Sequence, residues 1–215
     1  MHYTHAFFDL DGTITNSAPG ITHSVQYALQ KMGIEPPPTE KLLGFIGPPL
    51  TWGFSHFFGM NEEDSQRAVS YYREYYRAGG MLECEVYDGI KQTLSELQAA
   101  GIVCVLATCK PHLFASKILE HFSLDRYFSL VSGPEMDGTR GEKHEVIAHA
   151  MQSLGLTDPT RILMIGDRDN DVLGAARNGI DCAGVLWGFG SDRELSDAGA
   201  KFLCKEPLEL LEHFI

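Results

Sequence analysis

Short apolar runs recur along the chain, each bounded by Gly, Asp or Ser: HAFFDL (5–10), IVCVLAT (102–108), YFSLVS (127–132), RILMIGD (161–167) and CAGVLW (182–187). Runs that stay apolar on successive positions predict strands buried on both faces, as in a parallel sheet. Between the later runs the spacing becomes helical. DGIKQTLSELQAAG puts Ile90, Leu94 and Leu97 on one stripe before Gly101. HEVIAHAMQSLG puts Val146, Ile147, Ala150 and Met151 before Gly155, and NDVLGAARNG ends at Gly179 in the same way. Strand, helix and strand in succession predict βαβ crossovers and a doubly wound α/β core.

The stretch 18–85 breaks that alternation. PGITHSVQYALQKMG carries Ile21, Val25, Ala28 and Met32 at helical spacing, with Pro19 near its start and Gly33 after its end. Three prolines, Pro36 to Pro38, interrupt the chain, and helical patterns resume in LTWGFSHFFG and NEEDSQRAVSYYREYYRAGG. The expected organisation is an α/β core from 1–17 and 86–215, with a helical unit from 18–85 inserted after the first strand. Within the insert, the tyrosines of YYREYYR, at helical spacing, read as packing rather than as a ligand platform.

In open parallel sheets, ligands bind beyond the C-terminal ends of the strands. Asp9 closes the first apolar run and Asp11 follows in its loop; Thr108, Lys143, and Asp167 with Asp171 stand at the ends of later runs or in the segments after them. Four separate parts of the chain thus deliver polar groups to one rim. Crowded carboxylates repel one another unless a hard cation sits among them, and oxygen-only ligation suits Mg²⁺. A carboxylate can act as nucleophile toward a phosphoryl group, and a second one can move the protons. A hydroxyl and an ammonium suit the phosphoryl oxygens. Lys110 and Arg168 flank these positions, either as charge for the site or as surface charge.

Composition narrows the partners. The 215 residues are 44% apolar and carry a formal net charge of −12, which disfavours nucleic-acid polymers and anionic membrane surfaces. An anionic substrate must therefore be held by local positive charge. Five cysteines without a CxxC pair read as reduced thiols, the start lacks a secretory pattern, and no apolar run approaches a bilayer's span; together these predict a cytoplasmic protein. Nine histidines without HxxxH or HExxH spacing make zinc a poor candidate.

DLDGT (9–13), Thr108 after its apolar run, Lys143 and GDRDND (166–171) resemble, in order and spacing across nearly the whole chain, the four motifs of the haloacid dehalogenase-like (HAD) hydrolase superfamily. The resemblance implies a Rossmann-like HAD core with a helical C1 cap at 18–85. It implies Asp9 as nucleophile and Asp11 as general acid/base, and Mg²⁺ ligated by Asp9, Asp11 (through its main-chain carbonyl), Asp167 and Asp171. It implies phosphate contacts at Leu10, Asp11, Thr108, Cys109 and Lys143. The acid at Asp11 sets the chain apart from the family's dehalogenases and favours a phosphate substrate. FIGPPL (45–50), DGTRGEKHEVIAHAM (137–151) and GVLWGFGSDREL (184–195) are similar to the branch of 5′-nucleotidase-like and phosphoglycolate-phosphatase-like phosphatases. Lys143 is followed by His144 where the commoner motif has Pro, which weakens the phosphoglycolate phosphatase and phosphomutase readings more than the 5′-nucleotidase-like one. Phe45, Ile46, Gly47 and Pro48 are the candidate specificity loop of the cap. The expected substrate is a small phosphorylated metabolite, with a sugar phosphomutase and a non-catalytic phosphate-binding module as rivals.

Overall fold

A computed structural model describes residues 3–215. The chain forms two compact units, one of Met1–Thr15 with Val86–Ile215 and one of Asn16–Glu85.

The larger unit is built on strand β1 (His5–Phe8). Around it stand β4 (Val103–Ala107), β5 (Phe128–Ser132), β6 (Ile162–Gly166), β7 (Asp181–Val185) and β8 (Phe202–Cys204). They form one six-stranded sheet in the order β5-β4-β1-β6-β7-β8, with β1 parallel to both neighbours. Phe7 pairs in register with Val105 and Met164, and Phe8 with Leu106 and Ile165. Ala6, Phe7, Phe8, Leu106 and Ile165 are fully buried, so both faces of these central strands are covered. That is why they read as unbroken apolar runs rather than as alternation. Burying each large side chain contributes about 1.5–3 kcal/mol.

Helices α4 (Ile90–Ala99), α5 (His112–His121), α6 (Lys143–Ser153), α7 (Asp169–Arg177) and α8 (Asp192–Ala198) cover the sheet. Val146, Ile147 and Ala150 of α6 and Val172 and Ala175 of α7 join Phe7, Val105, Ala107 and Met164 in one core. Ile90, Leu94 and Leu97 of α4 are fully buried on their predicted stripe. The predicted strands and helices are present with ends shifted by a residue or two. The sequence pattern did not distinguish β8, a three-residue edge strand with only Cys204 buried, because so short a segment has no periodicity to read.

The chain leaves β1 toward β4 on one side and returns from β5 to β6 on the other, so the strand order reverses at β1. The crevice beyond its C-terminal end is therefore the topological switch point. The chain crosses between units through two short segments that pair with each other, β2 (Thr15–Asn16) and β3 (Glu85–Val86).

The smaller unit holds α1 (Ala18–Lys31), α2 (Leu50–Phe58) and α3 (Glu62–Ala78), with a 3₁₀ segment at Thr39–Phe45. Asn61 caps α3 by accepting the Asp64 N–H at 2.8 Å, and Glu62, Glu63 and Asp64 complement the helix dipole. Tyr72 and Tyr76 are buried and stacked 5.4 Å apart, in the packing role expected of them. Phe45 is buried against Phe54, Phe57 and Phe58, and Ile46 is buried beside it. Of the four candidate loop residues, only Gly47 and Pro48 thus keep notable exposure.

Candidate active site

Asp9 follows β1 directly, its N–H bonded to the Ile165 carbonyl at 2.9 Å, so the sheet ladder itself sets its position. The chain then turns tightly: the amides of Thr13, Ile14 and Thr15 all point at the Leu10 carbonyl, and Gly12 N–H bonds Thr15 O at 2.8 Å. Gly12 has φ +85°, and a Cβ there would lie 2.1 Å from Asp167 Oδ2. Only glycine permits both the turn and the approach of β6's terminal acid.

Lys143, the first residue of α6, is buried with its ammonium 2.8 Å from Asp9 Oδ1, 2.8 Å from Asp171 Oδ1 and 3.0 Å from the Ala107 carbonyl. It therefore ties the ends of β1 and β4 to the start of α7. Burial pulls its pKa down, but Asp171 and Asp9 outweigh that and hold it well above the usual lysine range. Asp171 also accepts the Arg168 N–H at 3.1 Å, so it closes the first turn of α7 while standing in the acidic cluster. Burial pushes Asp171 up to about 6 against the pull of Lys143.

Asp167 is fully buried, and its Oδ2 accepts the Phe189 N–H at 2.8 Å. Burial, then Asp171 and Asp9, push its pKa well above the ordinary carboxylate range. The loop after β7 wraps this acid closely. A Cβ on Gly188 would lie 2.4 Å from Asp167 Cβ, and one on Gly190 would lie 1.8 Å from its carbonyl oxygen. Trp187 fixes the same loop by donating its indole N–H to Thr13 O at 2.9 Å. GFG (188–190) read only as family likeness, yet its glycines and Phe189 amide build one wall of the site.

Thr108 is buried at the end of β4, its N–H on Ser132 O at 3.0 Å and its Oγ1 accepting the Lys110 N–H at 3.2 Å. Cys109 stands next to it. Burial pushes its thiol up to about 12, so it is not a nucleophile at neutral pH. The two flanking cations separate: Lys110 is buried with its ammonium 3.0 Å from Asp11 Oδ2, whereas Arg168 pairs with Glu194 at 2.8 Å. Tyr87, which sequence reasoning missed, feels Asp167 and Asp11; burial, reinforced by both acids, pushes its phenol up to about 12. No spacing rule links it to the motifs.

Oxygens of Asp9, Asp167 and Asp171 lie within 4.8 Å of one another. Buried oxygens of Asp9, Asp11 and Asp171 lack a well-directed hydrogen bond, although two of them lie beside Lys143. Four carboxylates face two ammonium groups, which leaves two negative charges uncompensated. A divalent cation with oxygen preference fits that donor set and would lower the raised acids again.

A family model described as haloacid dehalogenase-like hydrolase matches residues 6–185. The chain is 47% identical over 195 residues to a 5′-nucleotidase of Pseudomonas aeruginosa, covering 91% of this chain and 88% of that protein. It is 39% identical to the tyrosine-protein kinase PtkA of Mycobacterium tuberculosis, over 85% of this chain but 62% of that one. It is 30% identical to phosphoglycolate phosphatase 1 of Pseudomonas aeruginosa, over 95% and 77% of the two chains. A crystal structure of a predicted phosphatase from Clostridium acetobutylicum superimposes with a TM-score of 0.94 at 44% identity, covering 99% and 98% of the chains. Fold, acidic rim and matches agree: the chain belongs to the haloacid dehalogenase-like hydrolase family. Within it the protein is a phosphatase. Among the described residues no helix is long and apolar enough to cross a membrane.

Proposed function

We propose that this protein is a Mg²⁺-dependent phosphomonoesterase of 5′-nucleotidase-like specificity, acting through an aspartyl-phosphate on Asp9. The observation that carries the reading is the fixed carboxylate of Asp9, ion-paired to buried Lys143 at 2.8 Å inside an acidic cluster that suits a divalent cation. Asp9, Asp167 and Asp171, with the Asp11 main-chain carbonyl, would hold Mg²⁺, which supplies charge neutralisation for nucleophile and phosphoryl group.

A carboxylate oxygen of Asp9 attacks phosphorus as the bond to the leaving oxygen breaks, and protonated Asp11 gives that oxygen its proton. Water then attacks the phosphorus, Asp11 takes a proton from it, and the Asp9–phosphorus bond breaks to release phosphate. Both carboxyls return to their starting forms. Lys143 and the Thr108 hydroxyl hold phosphoryl oxygens as charge shifts during transfer, together with contacts at Leu10 and Cys109. The unit at 18–85 serves as the selecting cap, with Gly47 and Pro48 as the exposed part of its candidate loop. The 47% identity to a 5′-nucleotidase favours nucleoside monophosphates; the 30% identity to a phosphoglycolate phosphatase keeps that substrate as the second reading.

The test is phosphate release from nucleoside 5′-monophosphates, phosphoglycolate, sugar phosphates and pyrophosphate, with Mg²⁺ and with EDTA. Mg²⁺-dependent release concentrated on the nucleotides is expected. Preference for phosphoglycolate would move the substrate assignment and keep the chemistry, whereas release that is indifferent to EDTA would overturn the metal's role.

A further inference from the structure

Beyond the acids and Lys143, one buried cation touches the site. Lys110 lies two residues past Thr108, and its side chain is 6% exposed. Its ammonium is 3.0 Å from Asp11 Oδ2, and the Asp11 side chain is itself only 15% exposed. The other oxygen, Asp11 Oδ1, is buried and has no hydrogen-bond partner among the described residues. The two oxygens of one carboxylate are thus treated differently: one is tied and one is kept open.

The tie is rigid at both ends. On the Lys110 side, its N–H is held by Thr108 Oγ1 at 3.2 Å, and Pro111 follows directly. The next amide, His112 N–H, bonds Pro134 O at 3.1 Å. The Lys110 carbonyl passes so close to Gly133 that a Cβ there would lie 2.5 Å away. On the Asp11 side, the turn amides converging on Leu10 O fix the backbone. The freedom left to Asp11 is its two side-chain torsions, and an ion pair to a clamped lysine removes them.

We propose that Lys110 is a positioning residue for Asp11, fixing Oδ2 so that Oδ1 is the oxygen presented for proton transfer. The inference rests on the acid/base reading of Asp11 given above. Lys110 does not move a proton and does not hold the phosphoryl group; it narrows the orientations of the group that does the proton transfer. An acid displaced by about an ångström can lose about 100-fold in rate.

The experiment compares Lys110→Met, Lys110→Arg, Asp11→Asn and the double variant Asp11→Asn/Lys110→Met. An alkyl phosphomonoester, whose leaving oxygen needs a proton, gives kcat and KM. Single-turnover release of p-nitrophenolate from p-nitrophenyl phosphate, whose leaving group needs none, keeps the Asp11→Asn variants measurable. Lys110→Met is expected to lower kcat on the alkyl ester by about 10–100-fold with KM changed less than about threefold. Lys110→Arg should recover most of that loss, since guanidinium can still reach the carboxylate. With Asp11 already replaced, removing Lys110 should change the p-nitrophenolate rate by less than about twofold, because residues acting as a unit are not additive. A full multiplicative loss in the double variant, or a KM rise at constant kcat, would show Lys110 working on the substrate itself and overturn the proposal. Wild-type turnover of the alkyl ester by Asp11→Asn would instead refute the acid/base reading, and the role of Lys110 would fall with it.

Discussion

Replacing Lys143 with Met keeps the aliphatic stem that packs beside Gly174 and removes the charge together with the N–H donor to the Ala107 carbonyl. Two unit charges 2.8 Å apart, as in the Lys143–Asp9 pair, attract by about 6 kcal/mol at an effective dielectric of about 20. The lysine has two such partners, against the desolvation of a buried ammonium. Losing it leaves Asp9 and Asp171 facing each other without compensation. The loss has a ceiling, because a carboxyl can take up a proton instead. Protonating a group of ordinary pKa about 3.9 near pH 7.5 costs about 5 kcal/mol at about 1.4 kcal/mol per unit. The expected destabilisation of the metal-free protein is therefore about 3–5 kcal/mol, the range found when one partner of a buried pair is removed. Its pH dependence follows in sign. The carboxyl that protonates has a folded pKa raised above its unfolded value, so its contribution is most unfavourable at high pH. The penalty should shrink between about pH 7.5 and pH 5.5, by less than a full proton's worth because wild-type Asp171, at about 6, takes up protons there too. Urea unfolding in EDTA, followed by Trp187 fluorescence in a Trp52→Phe background, reads this directly. Asp171→Asn added to Lys143→Met should recover at least about 1 kcal/mol, since the two sites are coupled. A loss below about 1 kcal/mol at pH 7.5, or strict additivity in the double variant, would refute the electrostatic account of Lys143.

Asp9→Asn should lower phosphate release by at least about 10⁴-fold while leaving the far-ultraviolet circular dichroism unchanged; near-normal turnover would exclude Asp9 as nucleophile. Gly190→Ala, whose Cβ would lie 1.8 Å from the Asp167 carbonyl, should destabilise the protein by about 1–3 kcal/mol. It should also weaken Mg²⁺ binding in a calorimetric titration, and unchanged affinity would mean the loop does not set Asp167. Asp181 lies 2.7 Å from Lys201 and 2.6 Å from Tyr3; burial raises its pKa, but these two bonds win and hold it below the usual range. Its stabilisation is therefore present above the ordinary carboxylate pKa and lost as pH falls through the folded one. The pair is more than a third exposed, so Asp181→Asn should cost no more than about 0.5 kcal/mol at pH 7 and nothing near pH 2.5 in urea melts. Cys109, half-buried and raised to about 12, should alkylate with iodoacetamide at pH 8 about 10³-fold more slowly in the folded protein than in urea; comparable rates would contradict the raised thiol.

The amino-acid sequence determined by itself the features that rest on local chemistry. The unbroken apolar runs marked strands covered on both faces, and Phe7 and Phe8 are indeed fully buried. Helical stripes ending at glycine marked the crossovers, and the placing of Asp9, Asp11, Thr108, Lys143, Asp167 and Asp171 after those runs put them on one rim. Such signals are periodic or positional, so one chain carries them legibly. Tertiary structure alone decided what depends on approach between distant segments. It tied Lys110 to Asp11 and left Arg168 to Glu194, where the sequence had left both open between site charge and surface charge. It folded the glycines of the Trp187 loop against Asp167, brought Tyr87 into the field of two acids, packed Phe45 against the phenylalanines of α2 and buried Ile46. The physical reason is one of range. Periodicity and chain order report which face or which end a residue occupies, whereas an ion pair of 3.0 Å or a clash at 2.1 Å is settled only once the sheet has fixed where its loops meet.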